Sequence, residues 1–494
     1  MPPDAHASTA TRPLPLGVNL AGYFGATVGL AEAVRQIAGA LEAAGVAVAP
    51  VELVHSAAPR SAVAPGAAAV ATPAPVHPVT VVCVSPEGMA AARSQQPAAF
   101  DGPRVVGMWW WEVLAFPGRF ARAFDGVDEV WVGSRFVADV LGAVAPVPVV
   151  RMPLPVAAPR PAAVGREALG LPPGFLFGFV FDYASVAGRK NPLGLIEAFR
   201  RAFPEGGGDQ PSLVLKTLGG DRHPADHAAV LTAAAGHPRT HVIDRHVSSE
   251  EKDALIGHLD CYVSLHRSEG FGLTMAEAAL LGTPVIATDY GGPRDFLTPF
   301  NSFPVDNRVV PIGPGHDPYP ADGEWAEPDL DHAAALMRRV VAEPGEARAR
   351  SERARADVER EHAPAAAGRA MADRLARMLG APRTQAGRLE AVDLAEAERR
   401  VRTGPGVAAA GLRGSARAAL LRALRPYTVH QRLVDEEILR ALRTLDERVR
   451  AVAAGQATLA VELRRLREAL PEDADDDGSR SLRDGGHVPP SPRS

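Results

Sequence analysis

The sequence predicts an α/β protein with two sheet domains in tandem and a long helical segment after them. Strand-like and helix-like segments alternate over residues 16–151 and again over 175–288, and apolar residues recur with heptad spacing over 438–470. Because strands that alternate with helices are joined by crossovers, both sheets should be mainly parallel. A chain of 494 residues also exceeds what one hydrophobic core usually supports.

The first domain is predicted over residues 14–155, after an N-terminal segment, 1–13, that is expected to be disordered. It opens with a strand from Leu16, a Gly-rich turn from Gly22 to Gly29 and a helix whose apolar residues keep helical spacing. The next strands are expected at 79–85, 104–108, 129–133 and 147–151, with helix-like segments at 119–124 and 136–141. Residues 57–78, rich in Ala, Pro and Val, indicate a surface loop insertion.

The second domain is predicted over residues 173–385, behind a Pro-rich interdomain linker at 156–172. Its strands are expected at 175–182, 212–216, 240–243, 260–265 and 284–288, and its helices at 192–203, 225–235, 249–257 and 273–281. Ser248-Ser-Glu-Glu251 forms a capping box, which supports a helix start there. The Ala- and Arg-rich residues 329–380 predict long helices that close this domain.

A coiled coil is predicted at residues 431–470, after a helical connection at 386–430. Its apolar seam, broken by Gln456, alternates spacings of four and three, which favours a coiled coil over an amphipathic helix lying on a globular domain. Gln456 would fix register, so a homo-oligomer, as a parallel dimer or trimer, is expected. The polar tail 471–494 should be disordered.

The composition excludes several classes of protein. The net charge of -5 gives the chain no overall positive potential that would attract nucleic acid, so its charge does not indicate a nucleic-acid partner. The first residues do not read as a signal peptide, and no apolar run reaches membrane-spanning length. The two cysteines, Cys83 and Cys261, lie in apolar strand-like runs and are expected to be buried thiols. We therefore expect a cytoplasmic protein that is at most peripheral at the inner membrane face.

The most informative segment runs from Ser264 to Thr288, where a strand, a Gly loop and a helix follow one another. Gly270 and Gly272 remove side chains so that backbone N–H groups can approach a phosphate, and the helix that starts near Leu273 adds its dipole. Glu269 and Glu277 flank this anion site as carboxylate acceptors, one suited to sugar hydroxyls and one to ribose hydroxyls.

The spacing of Glu269 and Glu277 around Gly-Phe-Gly resembles the E-x7-E signature of retaining glycosyltransferases of group 1, also called family 4, which have the GT-B fold. The resemblance covers about residues 16–380 and is specific in the second half. It implies two Rossmann-like domains that face a cleft, with Gly270, Phe271, Gly272 and Leu273 at the substrate. The alternative is a purely structural strand–turn–helix, in which the Glu269 carboxylate interacts favourably with the helix dipole and Glu277 is solvated.

A second match lies at Arg189-Lys190-Asn-Pro, before a Leu-Ile-Glu-Ala-Phe helix. In the family this loop supplies an Arg and a Lys to the donor diphosphate, and Lys190 matches the Lys. The family's usual Arg falls on Ser185, so either Arg189 replaces it or the phosphate has one cation fewer. A solvated pair at a helix start is the alternative, although cations there oppose the helix dipole.

The first domain carries weaker signals. The loop that ends at Gly29 resembles the family's first loop, which lies near the donor phosphate and the acceptor. Trp109-Trp-Trp111 followed by Glu112 indicates either a core cluster or a sugar-stacking platform at the acceptor, with Glu112 facing the cleft. His266 is interpreted as a structural histidine at a strand end.

The resemblance implies transfer of a hexosyl group, mannose-like or glucose-like, from a UDP- or GDP-linked sugar to a glycan or lipid-linked acceptor with retention. Lys190, Arg189 and Glu269 are the expected catalytic residues. The resemblance implies no cofactor and no divalent metal, and no Asp-x-Asp is placed at a predicted strand end to bind one. Asp473 to Asp477 lie in the polar tail, which is the wrong context. The sequence lacks the dinucleotide-binding fingerprint of an NAD enzyme, which argues against that class. It contains the Glu-Gly-Phe-Gly block, which a nucleotide-sugar epimerase would not have. A scaffold with a catalytically weak transferase domain remains an alternative.

Overall fold

The computed structural model describes residues 16–26, 29–54, 76–204 and 210–380. The expectations for the N-terminal segment, for the helical connection and for the tail lie outside the described residues, as does nearly all of the predicted loop insertion. The predicted coiled coil at 431–470 also lies outside them and stays a prediction.

The first domain is built on a six-stranded parallel sheet with the strand order β2-β1-β3-β4-β5-β6. Its strands are β1 (Gly17–Gly22), β2 (Ala47–Glu52), β3 (Val79–Cys83), β4 (Arg104–Trp109), β5 (Glu129–Val132) and β6 (Val149–Arg151), and its helices are α1 (Gly29–Ala43), α2 (Met89–Gln95) and α3 (Arg135–Gly142). Every residue of β1 and β3 is buried, which explains their almost continuous apolar runs.

The second domain contains another six-stranded parallel sheet, in the order β12-β11-β10-β7-β8-β9. The chain enters it through the short helix α4 (Arg166–Leu169). The strands are β7 (Leu176–Asp182), β8 (Ser212–Leu218), β9 (Thr240–Asp244), β10 (Cys261–Ser264), β11 (Val285–Thr288) and β12 (Phe303–Val305), and the helices are α5 (Ala187–Lys190), α6 (Pro192–Ala202), α7 (Pro224–Ala235), α8 (Ser249–Gly257) and α9 (Leu273–Leu280). The sequence-predicted strands and helices from 175 to 288 match these bounds within two residues.

The capping box at the start of α8 is confirmed. The Ser248 hydroxyl accepts from the backbone N–H of Glu251 at 3.1 Å, and the Glu251 carboxylate accepts from the backbone N–H of Ser248 at 2.9 Å. These two bonds satisfy donors that a helix start otherwise leaves free.

An antiparallel hairpin follows β12 and was not predicted. It consists of β13 (Asn307–Pro311) and β14 (Glu324–Pro328), joined by the loop 312–323. We call this loop the hairpin loop. It comes from the second domain and contacts the first, as described below.

The terminal helices are α10 (Leu330–Ala342), α11 (Pro344–His362) and α12 (Pro364–Gly380). The prediction that residues 329–380 close the second domain is right for α10, which packs on α6, and wrong for α12, which packs on α1 of the first domain. Gly368 permits that contact, because a Cβ there would lie 2.0 Å from the carbonyl oxygen of Ala40. None of the described helices is both long enough and apolar enough to cross a bilayer.

Within the described residues the chain therefore passes between the domains twice, and the two passages lie side by side. The backbone N–H of Val156, in the first passage, donates to the carbonyl oxygen of His362 at 2.8 Å. Nδ1 of His362 lies 2.8 Å from the carbonyl oxygen of Leu154, and the His362 side chain is fully buried. The two connections between the domains thus form one hydrogen-bonded pair.

Candidate active site

The topology of the second sheet creates a crevice at one edge. From β7 the chain proceeds to β8 and β9 on one side, and it then places β10 on the opposite side of β7. Loops that follow two such strands diverge at their carboxyl ends, which is where open α/β sheets bind ligands. Here these are the loop 183–190, named the β7 loop, and the loop 265–272, named the β10 loop.

The β7 loop contains an unusual backbone that positions its two cations. Val186 adopts a φ of 63°, in the left-handed region that a β-branched residue rarely occupies. Asn191, with a φ of 55°, donates from its side chain to the carbonyl oxygen of Leu265 at 2.9 Å. This bond ties the end of the β7 loop to the start of the β10 loop, so Arg189 and Lys190 face Glu269.

Glu269 forms ion pairs with both cations. Its Oε2 lies 3.0 Å from the Arg189 guanidinium, and its Oε1 accepts a short hydrogen bond from the Lys190 ammonium. Burial alone would raise the pKa of Glu269, but the charges of Lys190 and Arg189 outweigh it and lower the pKa to about 2. Glu269 is therefore an ionised carboxylate, and the structure brings together the three residues predicted as catalytic.

Arg189 is committed to the protein more fully than Lys190. Its guanidinium donates to the carbonyl oxygens of Ser268, at 2.9 Å, and Ser185, at 3.2 Å, in addition to pairing with Glu269. The Arg189 side chain is 5% exposed, whereas that of Lys190 is 16% exposed. Arg189 is thus a bridge between the two loops, and Lys190 is the more exposed of the two cations.

The glycines of the β10 loop make room for protein backbone. A Cβ on Gly270 would lie 2.9 Å from the carbonyl oxygen of Trp111 in the first domain. A Cβ on Gly292 would lie 2.0 Å from the carbonyl oxygen of Gly270. Gly272 has a φ of 92°, a conformation that favours glycine, and directly precedes α9. These glycines therefore permit close backbone packing at the domain boundary. The approach of a phosphate to the same backbone, which the sequence predicted, stays a prediction.

Glu277 lies within α9 with a different set of partners. Its Oε1 accepts from the ammonium of Lys252, on α8, at 2.6 Å. Its Oε2 is buried and has no hydrogen-bond partner among the described residues. Burial raises the pKa of Glu277, and Lys252 opposes that shift without cancelling it. Glu277 is 4% exposed, so the alternative of a solvated carboxylate does not hold.

The other predicted substrate residues lie nearby in different roles. Phe271 is buried, with its ring centroid 5.2 Å from that of Phe296 and 5.0 Å from that of His362, so its side chain belongs to the core. Leu273 is the half-buried first residue of α9. Gly29 is the exposed first residue of α1, and a Cβ there would meet no atom within 4 Å.

Trp111 and Glu112 follow β4 at the boundary with the second domain. Trp111 is 1% exposed, its Nε1 donates to the carbonyl oxygen of Ala115 at 3.1 Å, and its ring edge contacts Phe116 and Phe120. This packing favours the core interpretation of the Trp cluster. The backbone carbonyl of Glu112 accepts from the Ser268 hydroxyl, so Glu112 lies beside the β10 loop.

The hairpin loop reaches Glu112 and its neighbours from the second domain. The Tyr319 hydroxyl donates to the Glu112 carboxylate at 2.9 Å, and the Tyr319 ring meets that of Trp111 with centroids 5.7 Å apart. Asp317 pairs with Arg119 of the first domain at 2.9 Å. The hairpin loop therefore connects the two domains beside the ion-paired cations.

Arg267 attaches the hairpin to the β7 and β10 loops. Its guanidinium pairs with Glu327 at 2.7 Å, donates to the carbonyl oxygen of Gly188 at 2.8 Å and lies over the ring of Trp325 at 5.4 Å. Because Arg267 precedes Glu269 by two residues, the hairpin and the β10 loop hold each other in place.

His266 has the structural role that the sequence predicted. It is fully buried, with Nδ1 3.1 Å from the Ser264 hydroxyl and Nε2 3.1 Å from the carbonyl oxygen of Tyr290. Burial is the main cause that lowers the pKa of His266, to about 4, so the ring is neutral near pH 7.

Sequence reasoning missed Lys252, Tyr319 and Ser134. Ser134 caps α3 and donates from its hydroxyl to the carbonyl oxygen of Gly270 at 2.6 Å, across the domain boundary. A serine before an apolar helix was a readable cap signal. Lys252 and Tyr319 carried no such signal, because their partners, Glu277 and Glu112, are distant in the sequence.

A family model described as glycosyl transferases group 1 matches residues 178–311. The match includes the β7 loop, the β10 loop and both glutamates of the signature. A sequence search of curated proteins gives no significant match.

Solved structures of glycosyltransferases share the fold. Sucrose-phosphate synthase from Thermosynechococcus elongatus superposes with a TM-score of 0.56 at 17% identity, over 74% of this chain and 100% of that chain. HepE from Anabaena, in complex with UDP and glucose, gives 0.54 at 15%, over 73% of this chain and 100% of that chain. A glycosyltransferase from Rickettsia africae gives 0.54 at 15%, over 74% and 100%. The described domains therefore have the GT-B fold that the sequence predicted.

Proposed function

We propose that this chain, whose residues 178–311 match the family model described as glycosyl transferases group 1, transfers a hexosyl group from a nucleotide diphosphate sugar to a hydroxyl of a glycan or lipid-linked acceptor, with retention. In this reaction the bond from the anomeric carbon to the diphosphate oxygen breaks. A bond from the acceptor oxygen forms on the same face of the sugar, and the hydroxyl proton passes to the diphosphate or to solvent.

The observation that carries the proposal is the convergence of Lys190 and Glu269 at the switch point of the second sheet. Negative charge develops on the diphosphate as its bond to the sugar breaks. A buried ammonium stabilises that charge strongly, because it is already in place and little water screens it. Lys190 is thus assigned to the leaving diphosphate, and Glu269 to the sugar hydroxyls beside it.

The donor nucleotide is assigned to the second domain. Glu277, with its unsatisfied Oε2, is the proposed acceptor for ribose hydroxyls. HepE, whose complex contains UDP and glucose, has the same fold, which supports a uridine or related nucleotide as the donor carrier.

The acceptor is assigned to the first domain, with Glu112 as the residue that faces it. No catalytic metal is invoked, because the cations of the β7 loop supply positive charge at the diphosphate. Cytoplasmic location, peripheral membrane contact and oligomerisation through the predicted coiled coil remain proposals based on sequence.

The test is a thermal-shift panel of UDP-, GDP- and ADP-linked hexoses, followed by chromatographic assay of nucleotide release. A ligand that binds only the folded state raises the melting temperature, so one nucleotide series should stand out. Release of nucleoside diphosphate from that series is the expected activity. Binding without any release would favour the alternative of a catalytically weak scaffold, and binding of none would contradict the proposal.

A further inference from the structure

The two oxygens of the Glu277 carboxylate have different surroundings. Oε1 accepts from the Lys252 ammonium at 2.6 Å. Oε2 is buried and has no hydrogen-bond partner among the described residues. A buried acceptor without a partner is destabilising, and such atoms in native structures call for a specific explanation. A ligand hydroxyl that donates to Oε2 supplies one.

The charged groups around Glu277 come from two elements, and a neutral hydroxyl comes from a third. On α8, Lys252 is its cationic partner, and Asp253 lies 3.4 Å from the Lys252 ammonium. Glu32 of α1, in the first domain, contributes a second negative charge. On β10, the hydroxyl of Tyr262 donates to that of Thr274 at 2.8 Å.

Without Lys252, these surroundings disfavour an ionised Glu277. Burial is the largest cause that raises the pKa of Glu277, and Asp253 and Glu32 raise it further, whereas Lys252 lowers it. A protonated carboxyl is a weaker acceptor than a carboxylate, because hydrogen bonds to ionised groups are about twice as strong as neutral ones.

Lys252 also fixes the direction of the carboxylate. Its side chain is 20% exposed, against 5% for Glu277, so the ammonium covers one oxygen from the solvent side. Because Oε1 is held there, the planar carboxylate has one orientation, and within the described residues Oε2 is left as its buried oxygen without a hydrogen-bond partner.

We propose that Lys252 is a positioning residue for the donor ribose: it holds Oε1 of Glu277 and so presents Oε2 to a ribose hydroxyl, an inference that rests on the function proposed above. Lys252 does not touch the ribose in this arrangement. It acts through Glu277, at the nucleotide end of the crevice, away from the transferred sugar.

The experiment measures binding of UDP and of 2′,3′-dideoxy-UDP to the full-length wild-type chain and to Lys252→Met by calorimetry. The second probe lacks the hydroxyls that Oε2 would accept from. We expect Lys252→Met to weaken UDP binding about tenfold, or about 1.4 kcal/mol, because Oε2 is then no longer held as an ionised, oriented acceptor. We expect the same variant to leave the affinity for 2′,3′-dideoxy-UDP within about twofold of wild type, because that probe never uses Oε2.

The pH dependence supplies a readout that a merely structural role would not move. Loss of Lys252 leaves the pKa of Glu277 raised by burial without opposition. Glu277 then binds a proton as the pH falls, so UDP affinity in Lys252→Met should decline toward acid more steeply than in wild type. The titration of the UDP phosphates is common to both proteins and cancels in the comparison.

Three further variants keep the test decisive. Lys252→Arg retains a donor and a charge and should restore UDP binding. Glu277→Gln should make Lys252→Met silent, because Lys252 acts through that carboxylate. Arg200→Met removes a surface charge that pairs with Glu197 on α6 and should change nothing.

Equal losses for UDP and 2′,3′-dideoxy-UDP in a folded Lys252→Met variant, or no loss for either, would overturn the inference while leaving the proposed function intact. If wild type binds GDP instead of UDP, the same comparison is made with GDP and its dideoxy analogue. Wild-type protein that binds neither nucleotide would contradict the proposed function and this inference together.

Discussion

Glu269 and Glu277 share one loop-and-helix segment and one sequence signature, yet their surroundings oppose each other. Both are at least nine-tenths buried. Within the part of the chain that the structure describes, Glu269 has two cationic partners and a pKa lowered to about 2, whereas Glu277 has one cationic partner, a raised pKa and an oxygen without a hydrogen-bond donor.

The difference shows that spacing locates a carboxylate, while distant elements decide its charge. The partners of Glu269 come from the β7 loop, and the partner of Glu277 comes from α8. Glu269 is therefore part of a satisfied ionic cluster in the free protein. Glu277 has an oxygen with no hydrogen-bond partner among the described residues, and in the proposed function a ribose hydroxyl supplies that partner.

The largest expected effect is a difference in unfolding free energy between variants of Glu269 and of Glu277. Glu269→Gln leaves Arg189 and Lys190 buried without their counter-charge, and breaking such a pair typically destabilises by about 3–5 kcal/mol. Glu277→Gln removes a carboxylate that burial already disfavours and should change the unfolding free energy by about 1 kcal/mol or less. Urea unfolding of both variants checks this. Equal losses would show that the two sites are energetically alike.

The next effect concerns nucleotide affinity at the Glu269 end. Lys190→Ala removes the cation proposed to bind the diphosphate. The affinity for UDP should fall by about 10- to 100-fold, because one charge-assisted hydrogen bond contributes about 1.5–3 kcal/mol. Calorimetry measures the change, with Lys190→Arg as the charge-retaining control. Wild-type affinity in Lys190→Ala would place the phosphate elsewhere.

Acid pH should distinguish the same two carboxylates. The pKa of Glu269 is about 2, below its ordinary 4.5, so its stabilising contribution is complete above 4.5 and is lost as the pH falls toward 2. By linkage this amounts to about 3 kcal/mol. The raised pKa of Glu277 has the opposite sign, because the folded state binds that proton more readily.

The stability gap between wild type and Glu269→Gln should therefore narrow on acidification, whereas acidification should favour wild type over Glu277→Gln. Chemical unfolding across this pH range measures both gaps. A constant gap for Glu269→Gln would mean that its partners do not depress its pKa.

The smallest expected effect tests the hairpin loop, which lies beside the Glu269 cluster. Tyr319→Phe removes the hydrogen bond to Glu112 and keeps the ring contact with Trp111, so the unfolding free energy should fall by about 1 kcal/mol. Asp317→Asn weakens the exposed ion pair with Arg119 and serves as a control that should be near neutral. A Tyr319→Phe protein as stable as wild type would show that the hydrogen bond to Glu112 does not stabilise the domain contact.

Much of the second domain followed from local signals, whereas features that depend on tertiary contacts did not. Apolar runs, Gly turns and the Ser248 cap gave its alternating elements, because both faces of a parallel sheet are buried. Strand β2 carries Ala, Pro and Glu with no clear alternation, and the hairpin is rich in Pro and Gly around its loop, so neither produced a strand pattern. The packing of α12 on α1 depends on the close approach of Gly368 to the backbone of Ala40, which is a contact between residues far apart in the sequence.

The residues of the candidate site also fall into those that local sequence signals located and those that only tertiary contacts reveal. The spacing of Glu269 and Glu277 and the Lys190 match located one side of the crevice. The commitment of Arg189 to backbone carbonyls and the roles of Lys252 and Tyr319 required the fold, because each contact joins residues far apart in the sequence.

The two passages between the domains lie side by side, near the β10 loop. Hydrogen bonds among Val156, Leu154 and His362 join them, so a displacement that separates the passages breaks these bonds. The His362 ring also contacts Phe271, which follows Gly270 and Glu269 in the β10 loop. The hydrogen-bonded passages therefore contact the loop that carries Glu269, so a rotation of one domain against the other would also act on the position of that carboxylate.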